Sequence, residues 1–262
     1  MSQKGIPTKR LIAAAIVVAV TPFLWLGFDL PPPLYLARYG LPPYGGPTDQ
    51  AVLIAGISFA ELSPGYYRRV APDGASDWVE IRKAFWVAET ELTNEAWSLF
   101  RPEDVEGKNL RHPVTNVSYE DVAAFCLWAS GEVDFTLRPP SEAEWEYACR
   151  AGTTAPWSSG PDPDELGNAA WYEKTARHGP CVVSMRQANP WGLHDLHGNV
   201  AEWCSDAIPG EGKMRRPVRG GHWENSGADC GSGARELLAE TAKSPRVGFR
   251  PVAVKKDQSS TE

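Results

Sequence analysis

The chain has 262 residues, of which 42% are hydrophobic and 23% charged, enough apolar content for one large domain or two small ones and too much for a disordered chain. Its 26 basic and 33 acidic residues leave a formal charge of -7, and no basic stripe with interleaved aromatics occurs, so no nucleic-acid partner is expected. Eleven tryptophans beside 24 glycines and 23 prolines point to a loop-rich domain whose core leans on large aromatic anchors.

In chain order, residues 1–10 form a basic N-terminus carrying Lys4, Lys9 and Arg10, and residues 11–28 run from Leu11 to Phe28 without a charge. At about 1.5 Å per residue this run reaches roughly 27 Å, close to a hydrocarbon core. The positive-inside rule then predicts a single-pass anchor in the inner (cytoplasmic) membrane, with the N-terminus cytoplasmic and the rest extracytoplasmic or periplasmic. A cleaved signal peptide is the rival reading, but no small-x-small cleavage site follows the run. Residues 29–47 are a proline-rich linker of extended geometry ending at Gly45-Gly46-Pro47. Residues 48–254 read as the folded domain, and residues 255–262 as a polar tail.

Within the domain, "AVLIAGISFAEL" predicts a strand pair, and "WVEIRKAFWVAETEL" continues the alternation before "TNEAWSLF" shifts to helical spacing. Ser118 is placed to cap a helix that sets Val122, Phe125, Cys126 and Ala129 on one face. Ser141 and Glu144 form an S-x-x-E capping box opening a second helix, closed by glycine. From residue 151 the pattern loosens into long irregular segments, so the expected class is α+β with two helices, short strands and much irregular chain.

The five cysteines, Cys126, Cys149, Cys181, Cys204 and Cys230, lack CxxC or other metal-ligand spacing. An oxidising location would permit one or two disulfides with one cysteine left over; for Cys126, a buried thiol on the helix's apolar face is the competing reading. Glu142, Glu144 and Glu146 are accounted for by the capping box and a solvated helix face, without paired-carboxylate catalysis. No Ser-His-Asp arrangement or phosphate-cradling glycine loop is present.

Six stretches, "ETELTNEAW", "HPVTNVSYEDVAAFCLWAS", "LRPPSEAEWEYACRAGT", "NPWGLHDLHGNVAEWCSD", "VRGGHW" and "VGFRPV", resemble in content and order the formylglycine-generating, sulfatase-modifying domain family. The resemblance implies a loop-rich variant of the C-type-lectin fold. It does not fix the activity, because the family also holds ergothioneine-pathway and pyoverdine-maturation enzymes and anchored extracytoplasmic proteins without a known reaction. Formylglycine-generating members oxidise a substrate cysteine with oxygen on a copper(I) ion held by two cysteines five residues apart. The matching positions here are Asn225 and Cys230, and asparagine does not replace a thiolate, so copper is not expected. The turn serine of the family is His222 and the tryptophan of its "GNVWEW" run is Ala201.

The resemblance also implies a structural Ca²⁺ in "DLHGNVAEW", held by the Asp195 and Glu202 side chains and the Gly198 and Val200 carbonyls, all hard oxygens. Without an ion, Glu202 would be a buried acid bonded to loop amides. An iron or zinc site from His194, His197 and His222 is disfavoured because Gly198-Asn199 argues for a turn, so both loop histidines are expected to hydrogen-bond locally. Cys126 and Cys149 match disulfide positions of the family without both partners, leaving Cys204–Cys230 as one alternative pair. Arg150, Arg219, Arg235 and Arg250 are expected to tie loop carbonyls and carboxylates in the core. Trp223 and its neighbours would offer a docking surface if they line a groove.

Two functions of different class follow. The first is a non-catalytic binding, scaffold or accessory subunit, tethered to the membrane and docked on a protein partner within a multi-subunit complex. The second is an oxidative maturation enzyme of another subtype acting on a peptide or small molecule in the periplasm, with Cys230, His222 and Glu202 as its candidate residues and His222 as acid or base.

Overall fold

The computed structural model describes residues 46–256, except 71–74, 132, 177 and 211–212. The anchor predicted at residues 11–28, most of the linker and most of the polar tail lie outside the described residues. Among the described residues no helix is long and apolar enough to cross a membrane.

The first strand pair forms where the alternation predicts it: β1 (Pro47–Ile54) and β2 (Ile57–Leu62) pair antiparallel across Ala55-Gly56. Both turn residues have positive φ, 49° and 75°, the geometry that lets a two-residue turn match the strand twist. A separate hairpin follows from β3 (Gly65–Val70) and β4 (Ser76–Ile81), and then β5 (Phe85–Ala88) returns to β2. All four residues of β5 are buried. Trp86 faces one hydrophobic cluster and Val87 another, so this strand is covered on both faces and loses the polar alternation of a half-exposed strand.

Helix α1 (Asn94–Ser98) is capped by Thr93, and α2 (Tyr119–Ala129) by Ser118, whose hydroxyl accepts from the Asp121 amide while Asp121 reaches back. The predicted apolar face of α2 is buried in full, with the Trp97 and Phe125 rings stacked at 5.4 Å. After β6 (Phe135–Arg138), helix α3 (Glu142–Arg150) starts at the Ser141–Glu144 capping box. It ends on Ala151 in the left-handed conformation, φ 45°, one residue before the glycine the sequence suggested. A further helix, α4 (Pro163–Ala169), was not expected in the loosened region; Asp162 caps it and Pro163 fits its first turn, where no amide hydrogen is needed.

The C-terminal half adds β7 (Ala201–Trp203), β8 (Ile208–Pro209), β9 (Met214–Arg219), β10 (Arg235–Ala239), β11 (Val247–Gly248) and β12 (Val252–Lys255). One sheet has the order β1-β2-β5-β12-β6, and another β10-β9-β7-β11 with β8 on the end of β9. Strand β12 inserts between β5 and β6, so the end of the domain closes the sheet its beginning started. Among the described residues, the segment from Trp157 to Val200 contains only α4 as a regular element, and it packs on buried aromatics such as Trp191, which lies edge-on to Tyr147 at 4.7 Å.

All five cysteines are free, which corrects the expectation of one or two disulfides. Cys204 and Cys230 belong to different hydrophobic clusters, and Cys126 to a third, so the proposed Cys204–Cys230 bridge has no shared core in which to form. Cys126 is the buried thiol of the alternative reading.

Candidate functional site: a buried charge cluster beside a small-residue cavity

The segment 192–206 runs into the domain centre, and two of its acids are almost wholly excluded from water: Asp195 is 2% exposed and Glu202 1%. Positive φ at Asp195 (61°), Gly198 (95°) and Asn199 (54°) coils the segment tightly. At Gly198 a Cβ would lie 2.1 Å from the Trp171 carbonyl oxygen, so the loop reaches its partner only because that residue has no side chain.

Arg250, fully buried on the segment between β11 and β12, organises the cluster. Its Nε donates to both Glu202 oxygens at 3.1 Å and Nη2 to Oε1 at 2.9 Å; Nη2 also donates to the His194 carbonyl at 2.6 Å and Nη1 to the Ala88 carbonyl at 2.8 Å. Trp145 Nε1 donates to Glu202 Oε2 at 2.6 Å. Glu91, on the chain entering α1, closes the other side: the Asn199 amide group donates to its Oε2 at 2.6 Å and the Val200 N–H to its Oε1 at 3.0 Å. Glu91 and Asn199 were missed as site residues by the sequence reading, although "ETELTNEAW" was among the matched stretches; the contact spans 108 positions and has no local signal. Burial pushes the Glu91 carboxyl well above its usual range, and the charges of Asp195 and Glu202 push the same way against Arg250. Burial likewise raises Asp195.

These positions bear on the predicted calcium ligands. Asp195 Oδ2 accepts from the Ser184 amide at 2.6 Å, but Oδ1 is buried with no hydrogen-bond partner. Three carboxylates are buried here and the one guanidinium pairs with Glu202 alone, so an orphaned oxygen and a shortage of positive charge both fit a cation at Asp195. Glu202 fits less well, since Arg250 and Trp145 engage both its oxygens already. Among the described residues no group of three or more histidine, cysteine, aspartate or glutamate side chains is arranged to hold a metal ion, which leaves the three-histidine alternative without a site.

The histidines act as expected for loop residues. His194 Nδ1 lies 2.9 Å from the Arg186 carbonyl. His197, fully enclosed, accepts from the Ser158 amide at Nε2 (3.0 Å), which places its proton on Nδ1 for donation to the Cys230 carbonyl at 2.8 Å. Burial lowers its pKa to about 4. The expected arginine ties are also present: Arg150 and Arg219 share Glu146, and Arg219 and Arg235 share Glu142.

Above the cluster, the turn after β9 and the 3-10 turn Ala228–Cys230 enclose a cavity of about 260 Å³. Ala201, Val218 and Ala228 supply small walls, while His222, Asn225 and Asp229 supply polar groups. His222 Nδ1 accepts from the Glu224 amide at 3.2 Å, so the neutral ring carries its proton on Nε2; burial, then the Arg246 charge, lowers its pKa. Asn225 Oδ1 accepts from the His222 amide at 2.8 Å, which makes this side chain part of the turn. Cys230 does not line the cavity. It is fully buried, its thiol is pushed up to about 12 by burial and then by Asp229, and Gly221 packs over it so closely that a Cβ there would stand 2.9 Å from Sγ. The candidate catalytic pair is therefore split: His222 reaches the cavity and Cys230 lies behind its wall. One sulfur and a structural amide do not fit a copper(I) dithiolate site. Trp223 is partly buried and is not among the residues lining this cavity.

Comparison with known proteins agrees with this architecture. Residues 45–255 match the sulfatase-modifying factor enzyme 1-like domain. The chain is 27% identical over 194 residues to the inactive C-alpha-formylglycine-generating enzyme 2 of Mus musculus, covering 66% of this chain and 56% of that protein. It is 30% identical over 211 residues to the formylglycine-generating enzyme of Streptomyces coelicolor, covering 68% and 60%. It thus spans little more than half the length of these curated relatives. Among solved structures, PvdO from Pseudomonas aeruginosa superposes with a TM-score of 0.69 at 21% identity, covering 78% of this chain and 97% of that one. Treponema denticola variable protein 1 gives 0.67 at 24%, covering 79% and 99%. With the match running through every sheet and all four helices described, the chain belongs to the sulfatase-modifying factor enzyme 1-like domain family, as a divergent member.

Proposed function

We propose that this protein is a non-catalytic binding or accessory subunit built on a formylglycine-generating-enzyme-like domain, held to the inner membrane by residues 11–28 with its domain in the periplasm, and docked on a protein partner. The observation that carries the loss of catalysis is the state of the thiol: Cys230 is fully buried and protonated, and its would-be partner position is an asparagine locked into the turn. A reaction that begins with a thiolate pair on copper has no starting point here. The similarity to relatives described as inactive supports the same reading. Ca²⁺ in the loop 195–202 belongs to the proposal as a structural ion, on the strength of the orphaned Asp195 oxygen.

The test has two arms. The full-length chain is purified from its native membrane in mild detergent and co-purifying proteins are quantified, with a partner at fixed stoichiometry expected. In parallel, the copper-loaded chain is incubated with cysteine-containing peptides while oxygen uptake and aldehyde formation are followed. Turnover that disappears in Cys230→Ser or His222→Ala would overturn the proposal in favour of an oxidative maturation enzyme.

A further inference from the structure

The outer face of α2 leaves apolar surface open among the described residues. Val122, Phe125, Cys126 and Ala129 point into the core, so at helical spacing Glu120, Ala123 and Leu127 share the opposite side. Leu127 is 77% exposed, more than any other large hydrophobic side chain described. Beside it, α2 and β6 border a cleft of about 480 Å³ whose walls include Tyr119, Ala123, Leu127, Leu137 and Pro139. Trp128 flanks Leu127, is 43% exposed and packs 5.6 Å from the Phe100 ring, so the apolar surface continues toward the exposed Leu99. A single exposed leucine is ordinary, whereas one standing between an apolar cleft and a half-exposed tryptophan belongs to a contiguous patch.

Several charges around this face are already paired: Asp121 with Arg101 and Lys243, Glu144 with Arg138, and Glu240 with Arg216. Glu120, exposed in the first turn of α2, and Lys256, exposed just past β12, take part in no ion pair among the described residues. Lys256 Nζ donates to the Ser130 carbonyl at 2.7 Å, which holds the ammonium at the C-terminal end of the helix. From 120 to 130, at roughly 1.5 Å per residue, the acid and the ammonium stand about 15 Å apart along the axis. The Ala123–Leu127 stripe lies between them.

We infer that this face is the contact of a symmetric dimer of the chain. Two copies of α2 pack antiparallel about a twofold axis near the helix midpoint, Leu127 of each copy enters the cleft between α2 and β6 of the other, and Glu120 of each meets Lys256 of the other. A twofold interface must be complementary to itself. Here a protruding side chain stands beside a cleft able to receive it, and opposite charges flank the stripe at its two ends, so one face supplies both halves of the contact. A helix of this length falls short of the roughly 1,200 Å² of a standard interface, and the Trp128–Leu99 surface adds to it, so a weak dimer dissociating near about 10 µM is expected.

The experiment is sedimentation equilibrium of the full chain in mild detergent over concentrations spanning that value, with hydrogen exchange of α2 followed at both ends of the range. A monomer–dimer equilibrium is expected, with α2 better protected at the high concentration. Leu127→Asn should raise the dissociation constant at least about tenfold, because the side chain is exposed in the monomer and buried twice in the dimer. Glu120→Lys and Lys256→Glu should each weaken association about fivefold, and the double variant should recover to within about twofold of the parent, as a direct contact between the two residues requires. Circular dichroism checks that each variant keeps the monomer fold. A chain that stays monomeric, a dimer indifferent to Leu127→Asn, or a double variant no better than the single ones would each overturn the inference. Protection of α2 that is independent of concentration would assign the face to another segment of the same chain, and protection seen only with a co-purifying protein bound would assign it to a different partner; either result overturns the dimer.

Discussion

Replacing Arg250 with methionine removes the one cation from the charge cluster while keeping much of the side chain's volume. The substitution leaves the Glu202 carboxylate with only Trp145, and strips a donor from each of the Ala88 and His194 carbonyls. Breaking one partner out of a buried ion pair costs about 3–5 kcal/mol, and a buried carbonyl left without a donor adds about 1 kcal/mol or more. Since relaxation of the surrounding loop relieves part of this, about 4 kcal/mol is the expected net loss. For a domain of this size that corresponds to a fall in melting temperature of about 8–16 °C. Urea denaturation and calorimetry of the full chain, at fixed calcium, measure it. Adding Glu202→Gln should restore part of the loss, because the stranded charge is gone. A loss below about 1 kcal/mol, or strict additivity in the double variant, would refute the claim that Arg250 neutralises Glu202 in the core.

Thiol labelling of the native protein should modify Cys181, the only cysteine not fully buried, and reach Cys126, Cys149, Cys204 and Cys230 only after denaturation; rapid labelling of Cys230 in the folded state would reopen the catalytic reading. His197 is held near pKa 4 while an unfolded histidine titrates near 6.5, so between these values the unfolded chain binds more protons and stability falls as pH drops from about 6.5 to 4. In equilibrium denaturation across that range, His197→Asn should flatten the slope; an unchanged slope would contradict it. Gly198→Ala should cost more than about 3 kcal/mol, from the carbonyl contact and the positive φ together, and a near-neutral result in urea titration would contradict the packing of Trp171 against this loop. Removing calcium with a chelator should lower the melting temperature by several degrees, an effect that Asp195→Asn should abolish; identical melting with and without chelator would eliminate the ion from the loop.

Much of the local structure was readable in the chain. The Ser118 and Ser141 caps, the apolar face of α2 and the first hairpin all depend on residues within a few positions of each other, so short-range patterns suffice to predict them. Helix α4 escaped because seven residues after Asp162-Pro163 give too short a period to stand out from loop. The six family-like stretches named the fold.

What remained for the tertiary structure was which groups meet and which are sealed off. Sequence placed Glu202 and Asp195 at a potential ion site, but Arg250, which pairs with Glu202, lies 48 positions after it, and Glu91, which accepts from Asn199 in the same loop, lies 108 positions before Asn199. Cys230 could be read from sequence as a disulfide partner or as a nucleophile, and its burial, with Gly221 and Gly198 packed against its sulfur, appears only in the tertiary structure. Local propensity records how a segment bends; burial, and hence charge state and reactivity, depends on chain brought in from elsewhere, and no single stretch of this sequence contains that information.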